Sequence, residues 1–318
     1  MAHDRPGDAK VARIDAKDRI TDTNDCSTDT NDRTTDTNDR TTDMTDAPIA
    51  ERDQPTEPKP LPDPAWLAGL QERADRPPER PREPLCLEAV EVGSIEPALG
   101  RRLLAAGLPL HRAPAHWTIE GEPDRALAAI AGWLDAHGLC GRWRGELLAV
   151  DDIGGKRRAV VERAAVRPLG IATHAVHLVG RTADGRWWVQ QRALDKATDP
   201  GLWDTLMGGM VGAGESIAQT LARETAEEAG LDVAGLDPLT PAGRLTVRRP
   251  VADGYMIERI DVFEGVVPDG LEPVNRDGEV ARFECLDTAA LHARLLDDAF
   301  TLEAALILAA ALQRPSSR

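Results

Sequence analysis

Apolar residues follow two regimes along the chain. Up to about residue 60 they are sparse, and Thr, Asp, Asn and Arg recur in a seven-residue unit: TDTNDCS at 21–27, then TDTNDRT at 28–34 and again at 35–41. Seven is the coiled-coil period, but no position of the unit is apolar, so there is no seam to bury. Such material cannot offset the entropy of ordering its backbone, and residues 1–60 are expected to be a disordered repeat tail. Residues 61–84 run through proline and charge (RPPERPREP) and read as a semi-extended linker, with Trp66–Leu70 as a helical turn that docks on the body.

From Leu85 the pattern becomes periodic. Ser94–Gly107 predicts a helix with Ser94 as N-cap and Gly107 as terminator. Trp117–Ile119 predicts a short strand. Asp124–Gly138 predicts a second helix, capped by Asp124, with Leu127, Ile130, Ala131 and Leu134 at helical spacing. Residues 85–168 thus form a small α+β domain, whose His and Trp residues read as packing groups. A second domain is expected over 169–318. His174–Val179 and Arg186–Gln191 alternate around Ala183-Asp184-Gly185 as a hairpin. Strand-like runs follow at Arg244–Arg248, Met256–Val267 and Val280–Leu286, and helices at Thr288–Asp297 and Leu302–Leu312. This order predicts an α/β fold, a mixed sheet between helices.

Composition narrows the function. The 318 residues are 42% hydrophobic, enough for a real core. The net charge of −16 argues against a nucleic-acid polymer as partner, and the chain lacks the basic segments that bind anionic membranes. No apolar run is long enough to span a bilayer, and the first twenty residues carry no secretory pattern. Cys26, Cys86, Cys140 and Cys285 are scattered without metal-site spacing and read as reduced thiols, so a cytoplasmic protein is expected.

The chemistry concentrates between Gly208 and Leu231. Gly208, Gly209, Gly212 and Gly214 make a loop whose backbone can approach a ligand closely. Glu215 and Ser216 open a helix that Gly230 closes. Glu224, Glu227 and Glu228 stand at i, i+3 and i+4, so the three carboxylates share one face. Like charges so placed repel unless a cation sits among them, and hard carboxylate oxygens suit Mg²⁺ or Mn²⁺. Arg223 lies beside this face and can pair with Glu215 or Glu227. A solvated acidic helix face is the plainer alternative for the glutamates taken alone.

Gly209, Glu215, Arg223, Glu224, Glu227, Glu228 and Gly230 together have the spacing of the Nudix box, and the chain resembles the Nudix hydrolase family over this stretch. One departure is Thr225, where relatives usually carry an aliphatic residue. The resemblance implies an α/β/α sandwich. It implies metal ligation by Glu224, Glu227 and Glu228 with a loop carbonyl near Gly208, and a supporting pair between Glu215 and Arg223. The implied reaction is Mg²⁺- or Mn²⁺-dependent hydrolysis of a small-molecule diphosphate linked to a variable group X. Glu279 occupies a place where many relatives carry a further ligand or base; a solvated loop glutamate is the alternative.

A looser similarity covers Val161–Ala165, Leu169–Ile171, Val176–Leu178, Gln191–Lys196 and Pro200–Asp204. It points to a subfamily in which an extra N-terminal domain precedes the Nudix domain, related to thiamine pyrophosphokinase-like proteins. The substrates it implies are thiamine diphosphate, its oxidised forms, or a nucleotide such as 8-oxo-dGDP. Arg192, Lys196, His177 and Trp203 are candidate substrate contacts, with core or surface roles as alternatives. A homodimer is a family-level expectation. Two other classes stay open. A non-catalytic sensor usually loses box carboxylates, and all are present here. Isopentenyl diphosphate isomerases depend on a cysteine before the box helix, and Thr205–Gly209 contains none.

Overall fold

The computed structural model describes residues 63–314, so the repeat tail expected at 1–60 lies outside the described residues. Asp63 accepts from the Ala65 amide and Pro64 follows at the first helical position, which starts α1 (Pro64–Ala74). The helix runs beyond the predicted turn because Leu70 and Ala74 are both buried in the core.

The N-terminal domain contains β1 (Glu83–Leu87), β2 (Val90–Ile95), α2 (Pro97–Ala105), β3 (Leu110–Arg112), β4 (Trp117–Ile119), α3 (Pro123–Ala136), β5 (Leu147–Asp151) and β6 (Arg157–Glu162). Its sheet has the order β2-β1-β4-β3, and β5 pairs with β6 as a separate hairpin. Trp117, Leu127, Ile130 and Leu134 fill one core with Leu148 and Val161.

Both predicted caps shift. Ser94 lies in β2 opposite Pro84, and its hydroxyl accepts from Arg82. Pro97 at the first helical position holds Glu96 extended, so α2 starts after it. For α3 the cap is Glu122, which accepts from the Asp124 and Arg125 amides ahead of Pro123. Asp124 instead accepts from Val160 of β6, tying α3 to the hairpin.

The second domain contains β7 (Ala172–Thr182), β8 (Trp187–Arg192), β9 (Trp203–Asp204), β10 (Met207–Met210), α4 (Ile217–Glu228), β11 (Leu239–Val251), β12 (Gly254–Val267), β13 (Val280–Leu286), α5 (Thr288–Leu296) and α6 (Leu302–Leu312). The main sheet runs β11-β12-β7-β8-β13, with β10 on β7 and β9 on β8. Strand β7 pairs in parallel with β12 and antiparallel with β10 and β8, so the sheet is mixed.

Side chains alternate across this sheet. Ala175 and Val179 of β7 join the core shared with α1, α5 and α6. Val176 and Leu178 join the core under α4, with Leu206, Met207 and Leu221. Helices therefore cover both faces, the α/β/α sandwich that the periodicity and the box predicted.

The two domains meet along the glycine-rich loop. The Ala213 amide donates to the Leu147 carbonyl at 2.9 Å, and Leu148 bridges Gly212. Arg157 also donates to the Ala213 carbonyl. Gly93 lies so close to the Leu169 carbonyl that a Cβ there would sit 2.5 Å from it, which requires glycine.

Candidate functional site

Helix α4 is specified locally. Ser216 accepts from the Gln219 amide, and the Gln219 side chain accepts from the Ser216 amide, a complete capping box. At the other end Gly230 takes φ +65°, and the Leu231 amide reaches back to the Thr225 carbonyl. The helix therefore has fixed ends, which sets the direction of each glutamate.

Successive residues turn by about 100°, so Glu227 and Glu228 flank Glu224 on opposite sides of one face, offset by about 60° and 40°. Glu224 and Glu228 point into a cavity of about 480 Å³ and line it; Glu227 is about half exposed and does not. Glu228 is 2% exposed and accepts from Gln190 Nε2 at 3.0 Å and the Gly208 amide at 3.1 Å. Burial pushes its carboxyl up to about 8. Burial also pushes Glu224 up to about 7, against the pull of Arg223. Gly209 is needed here, because a Cβ on it would overlap the Glu224 carboxyl group.

Arg223 binds the acidic cluster from outside. It donates to Glu215 through Nε at 2.6 Å and Nη2 at 2.8 Å, and through Nη1 to Glu224 at 2.9 Å and Glu227 at 3.0 Å. The Arg223 fork, with the Thr220 hydroxyl, holds Glu215 down at about 2. This is the predicted pair, and it fixes the loop to the helix.

Glu279 reaches the same cavity from the turn before β13. Asp277 accepts from the Glu279 amide, and Asn275 accepts from Asp277 and Gly278, so the turn is internally held. Lys196 donates to Glu279, and its ammonium lies 4.0 Å from Glu228. Burial works to raise the Glu279 carboxyl, but Lys196 outweighs it and the net direction is down. Oxygens of Glu228, Asp277 and Glu279 come within 4.8 Å of one another. Asp277 was not singled out from the sequence, although Asp277-x-Glu279 before a strand was the available signal.

These residues suit a divalent cation. Glu228, Asp277 and Glu279 bring carboxylate oxygens together, Glu224 lines the same cavity as Glu228 and Glu279, and Glu224 and Glu228 are buried enough to need positive charge nearby to stay ionised. All the donors are oxygen, the set preferred by Mg²⁺ and Mn²⁺. Glu224, Glu228, Asp277 and Glu279 could hold it. Gly208 lines the cavity, but its recorded bond is from its N–H to Glu228.

Arg192 donates to Asp204 at 3.2 Å and to the Thr198 carbonyl at 3.0 Å, while its Nε is buried without a partner. His177 is buried, which lowers it against the pull of Asp204 and Glu303. Thr205 gives its hydroxyl proton to the Met207 carbonyl, so His177 Nδ1, 2.9 Å away, must be the donor to Thr205. The histidine is therefore a satisfied strand residue whose ring also borders the cavity.

Trp203 corrects the expectation of substrate contact. It is 6% exposed, does not line the cavity, and carries the Arg294 guanidinium 4.2 Å from its ring. Its neighbours in sequence alternate across a short strand, and the inward position falls to Asp204.

Beside the expected Arg192 and Lys196, the cavity wall includes basic residues that motif reading missed: Arg142, Arg144, Arg163 and Arg167 from the N-terminal domain and its connection to β7, and Arg249 from the second domain. In a chain of net charge −16 this is a local concentration of positive charge. The floor holds Glu258 and Glu303, beside Thr173 and Thr301.

A family model described as "NUDIX domain" matches residues 172–306. Nudix hydrolase 24, chloroplastic, of Arabidopsis thaliana is 31% identical over 174 residues, 53% of this chain and 47% of that protein. An isopentenyl-diphosphate Delta-isomerase of Leifsonia xyli is 34% identical over 148 residues, 46% of this chain and 77% of that protein. A crystal structure from Deinococcus radiodurans superposes with a TM-score of 0.44 at 20% identity, over 53% of this chain and 100% of the other. The chain thus spans about half the length of its plant relative. Among the described residues no helix is long and apolar enough to cross a membrane.

Proposed function

Because the chain belongs to the Nudix family, we propose that it is a divalent-metal-dependent hydrolase that cleaves the diphosphate linkage of a small molecule and releases a monophosphate. The observation that carries this reading is the convergence of Glu224, Glu228 and Glu279 on one cavity that also holds Arg192 and Lys196. A cavity of about 480 Å³ accommodates a diphosphate together with a heterocycle. The substrate class is a nucleoside diphosphate, such as 8-oxo-dGDP, or thiamine diphosphate and its oxidised forms. The three described cysteines are free thiols, in keeping with a cytoplasmic enzyme.

Hydrolysis forms one bond from water oxygen to phosphorus and breaks the bridging P–O bond. Mg²⁺ or Mn²⁺ bound by the carboxylates would supply charge neutralisation at the phosphoryl oxygens. Arg192 grips the diphosphate, held in place by Asp204. Lys196 positions Glu279 and adds a second positive charge. Glu279 takes the proton of the attacking water. Glu215 and Arg223 keep the loop and helix in register and do not touch substrate.

The match to the Leifsonia isomerase favours a second reading, isomerisation of isopentenyl diphosphate. Among the described residues no cysteine lines the cavity, and Cys285 pairs across the sheet with Trp188. The test is turnover of purified full-length protein with Mg²⁺, beside Glu228→Gln. The panel holds thiamine diphosphate, oxothiamine diphosphate, 8-oxo-dGDP, ADP-ribose and isopentenyl diphosphate. Metal-dependent release of a monophosphate, lost in the variant, is the expected result. Conversion of isopentenyl diphosphate without phosphate release would transfer the assignment to the isomerase. Ligand binding with no turnover of any kind would leave a sensor.

A further inference from the structure

We propose that the N-terminal domain completes the substrate site: Arg142 and Arg144, on the loop between α3 and β5, hold the terminal phosphate of the diphosphate in the cavity that the acidic cluster lines. This rests on the hydrolase reading above and goes beyond it by assigning the extra domain a direct part in binding.

Arg142 and Arg144 both line the cavity, whereas Trp143 between them does not. Among the described residues neither guanidinium makes an ion pair, although the chain carries 54 acidic residues against 38 basic ones. An exposed arginine without a partner is ordinary. Two on one loop, both bordering the cavity that holds Glu224, Glu228 and Glu279, are a specific juxtaposition. Arg163 extends the same wall, partly neutralised by Glu146 at 2.7 Å.

The loop is also held in place. Glu162 accepts from the Arg144 and Gly145 amides at 2.8 and 3.2 Å. The next strand, β5, is bonded to the glycine-rich loop through Leu147 and Ala213. The backbone that carries Arg144 is thereby tied to the same loop that leads into α4, which leaves the two guanidinium groups to be ordered by the substrate.

The chemistry of the substrate requires such donors. A diphosphate with a free terminal phosphate carries about three negative charges near neutral pH, and a wall of carboxylates repels it. A divalent cation held by Glu224, Glu228 and Glu279 would neutralise part of this charge, and donors from this chain are needed for the rest. Guanidinium groups, with five N–H donors and a planar fork, match the terminal phosphate oxygens. A substrate whose two phosphates are both esterified offers fewer such oxygens and gains less from this pair.

The test compares full-length wild type with Arg142→Ala/Arg144→Ala, Arg142→Lys/Arg144→Lys and Arg101→Ala. Arg101 is an exposed arginine of α2 outside the cavity. Calorimetry with Mg²⁺ and imidodiphosphate, a hydrolysis-resistant diphosphate, reads binding without turnover. The alanine pair is expected to weaken binding about 10–100-fold, as loss of charged hydrogen bonds does. KM for the best diphosphate of the panel should rise by a similar factor, with kcat changed less than about threefold. The lysine pair should recover part of the loss, and Arg101→Ala none of the defect. KM for ADP-ribose should respond less than KM for a terminal diphosphate. Wild type that binds imidodiphosphate, with an alanine pair that binds it equally, overturns the arginine assignment and leaves the hydrolase intact. Wild type that neither binds nor hydrolyses any diphosphate overturns both.

Discussion

Replacing Glu258 by Gln should stabilise the protein at alkaline pH and leave it unchanged at acid pH. Glu258 lies on β12 opposite Thr173 of β7 and lines the cavity floor. Its carboxylate has no hydrogen-bond partner among the described residues, and the side chain is partly open to solvent. Burial, then the charge of Glu303 on α6, pushes it up to about 7 from the ordinary 4.5. Arg167 and Arg163 from the inter-domain connection and Arg249 on β11 pull the other way without cancelling it.

Between about pH 4.5 and 7 the folded protein therefore holds a proton that the unfolded chain has released. Stability falls as pH rises through that window. A shift of about 2.5 pH units corresponds to at most about 3.4 kcal/mol. Water in the cavity reduces this, so about 1–3 kcal/mol is expected. Urea denaturation of wild type and Glu258→Gln at pH 5 and pH 8 measures it. The variant should be more stable by about 1–3 kcal/mol at pH 8 and within about 0.5 kcal/mol at pH 5. An equal difference at both values, or a variant weaker at pH 8, would refute the assignment of a buried charge.

Three further outcomes are expected. Thr225 is fully buried with its hydroxyl unpaired, so Thr225→Val should raise stability by about 1 kcal/mol in denaturant while activity persists. Gly209→Ala should displace the Glu224 carboxyl group and cut kcat at least about tenfold, with the melting temperature little changed; unimpaired turnover would refute the close approach. Trp203→Leu should cost about 2–4 kcal/mol of stability and leave KM unaltered, whereas a raised KM would return the ring to the substrate site.

Sequence reading succeeded where a feature depends on residues close together along the chain. The ends of α4 follow from Ser216, Gln219 and Gly230, and the Glu215–Arg223 pair follows from a spacing of eight along one helix face and its loop. The strands β12 and β13 and helices α5 and α6 were legible from their apolar spacing. It erred where two local signals competed. Ser94 and Asp124 are good caps by residue type, but Pro97 and Pro123 set where the helices begin. Trp203 was open between a substrate contact and a core role, and the strand alternation turned Asp204 toward Arg192 and left the ring in the core.

By itself, then, the sequence determined the box, its capped helix and an acidic face able to hold a cation, because periodicity, capping and turn chemistry act over a few residues. Tertiary structure brought Glu279, from about fifty residues downstream, to the cavity that Glu224 and Glu228 line, with Asp277 close beside Glu228 and Glu279. It also brought arginines from the N-terminal domain to the same wall. Burial and charge pairing between distant segments depend on how the sheets and helices pack, and no short-range pattern encodes that.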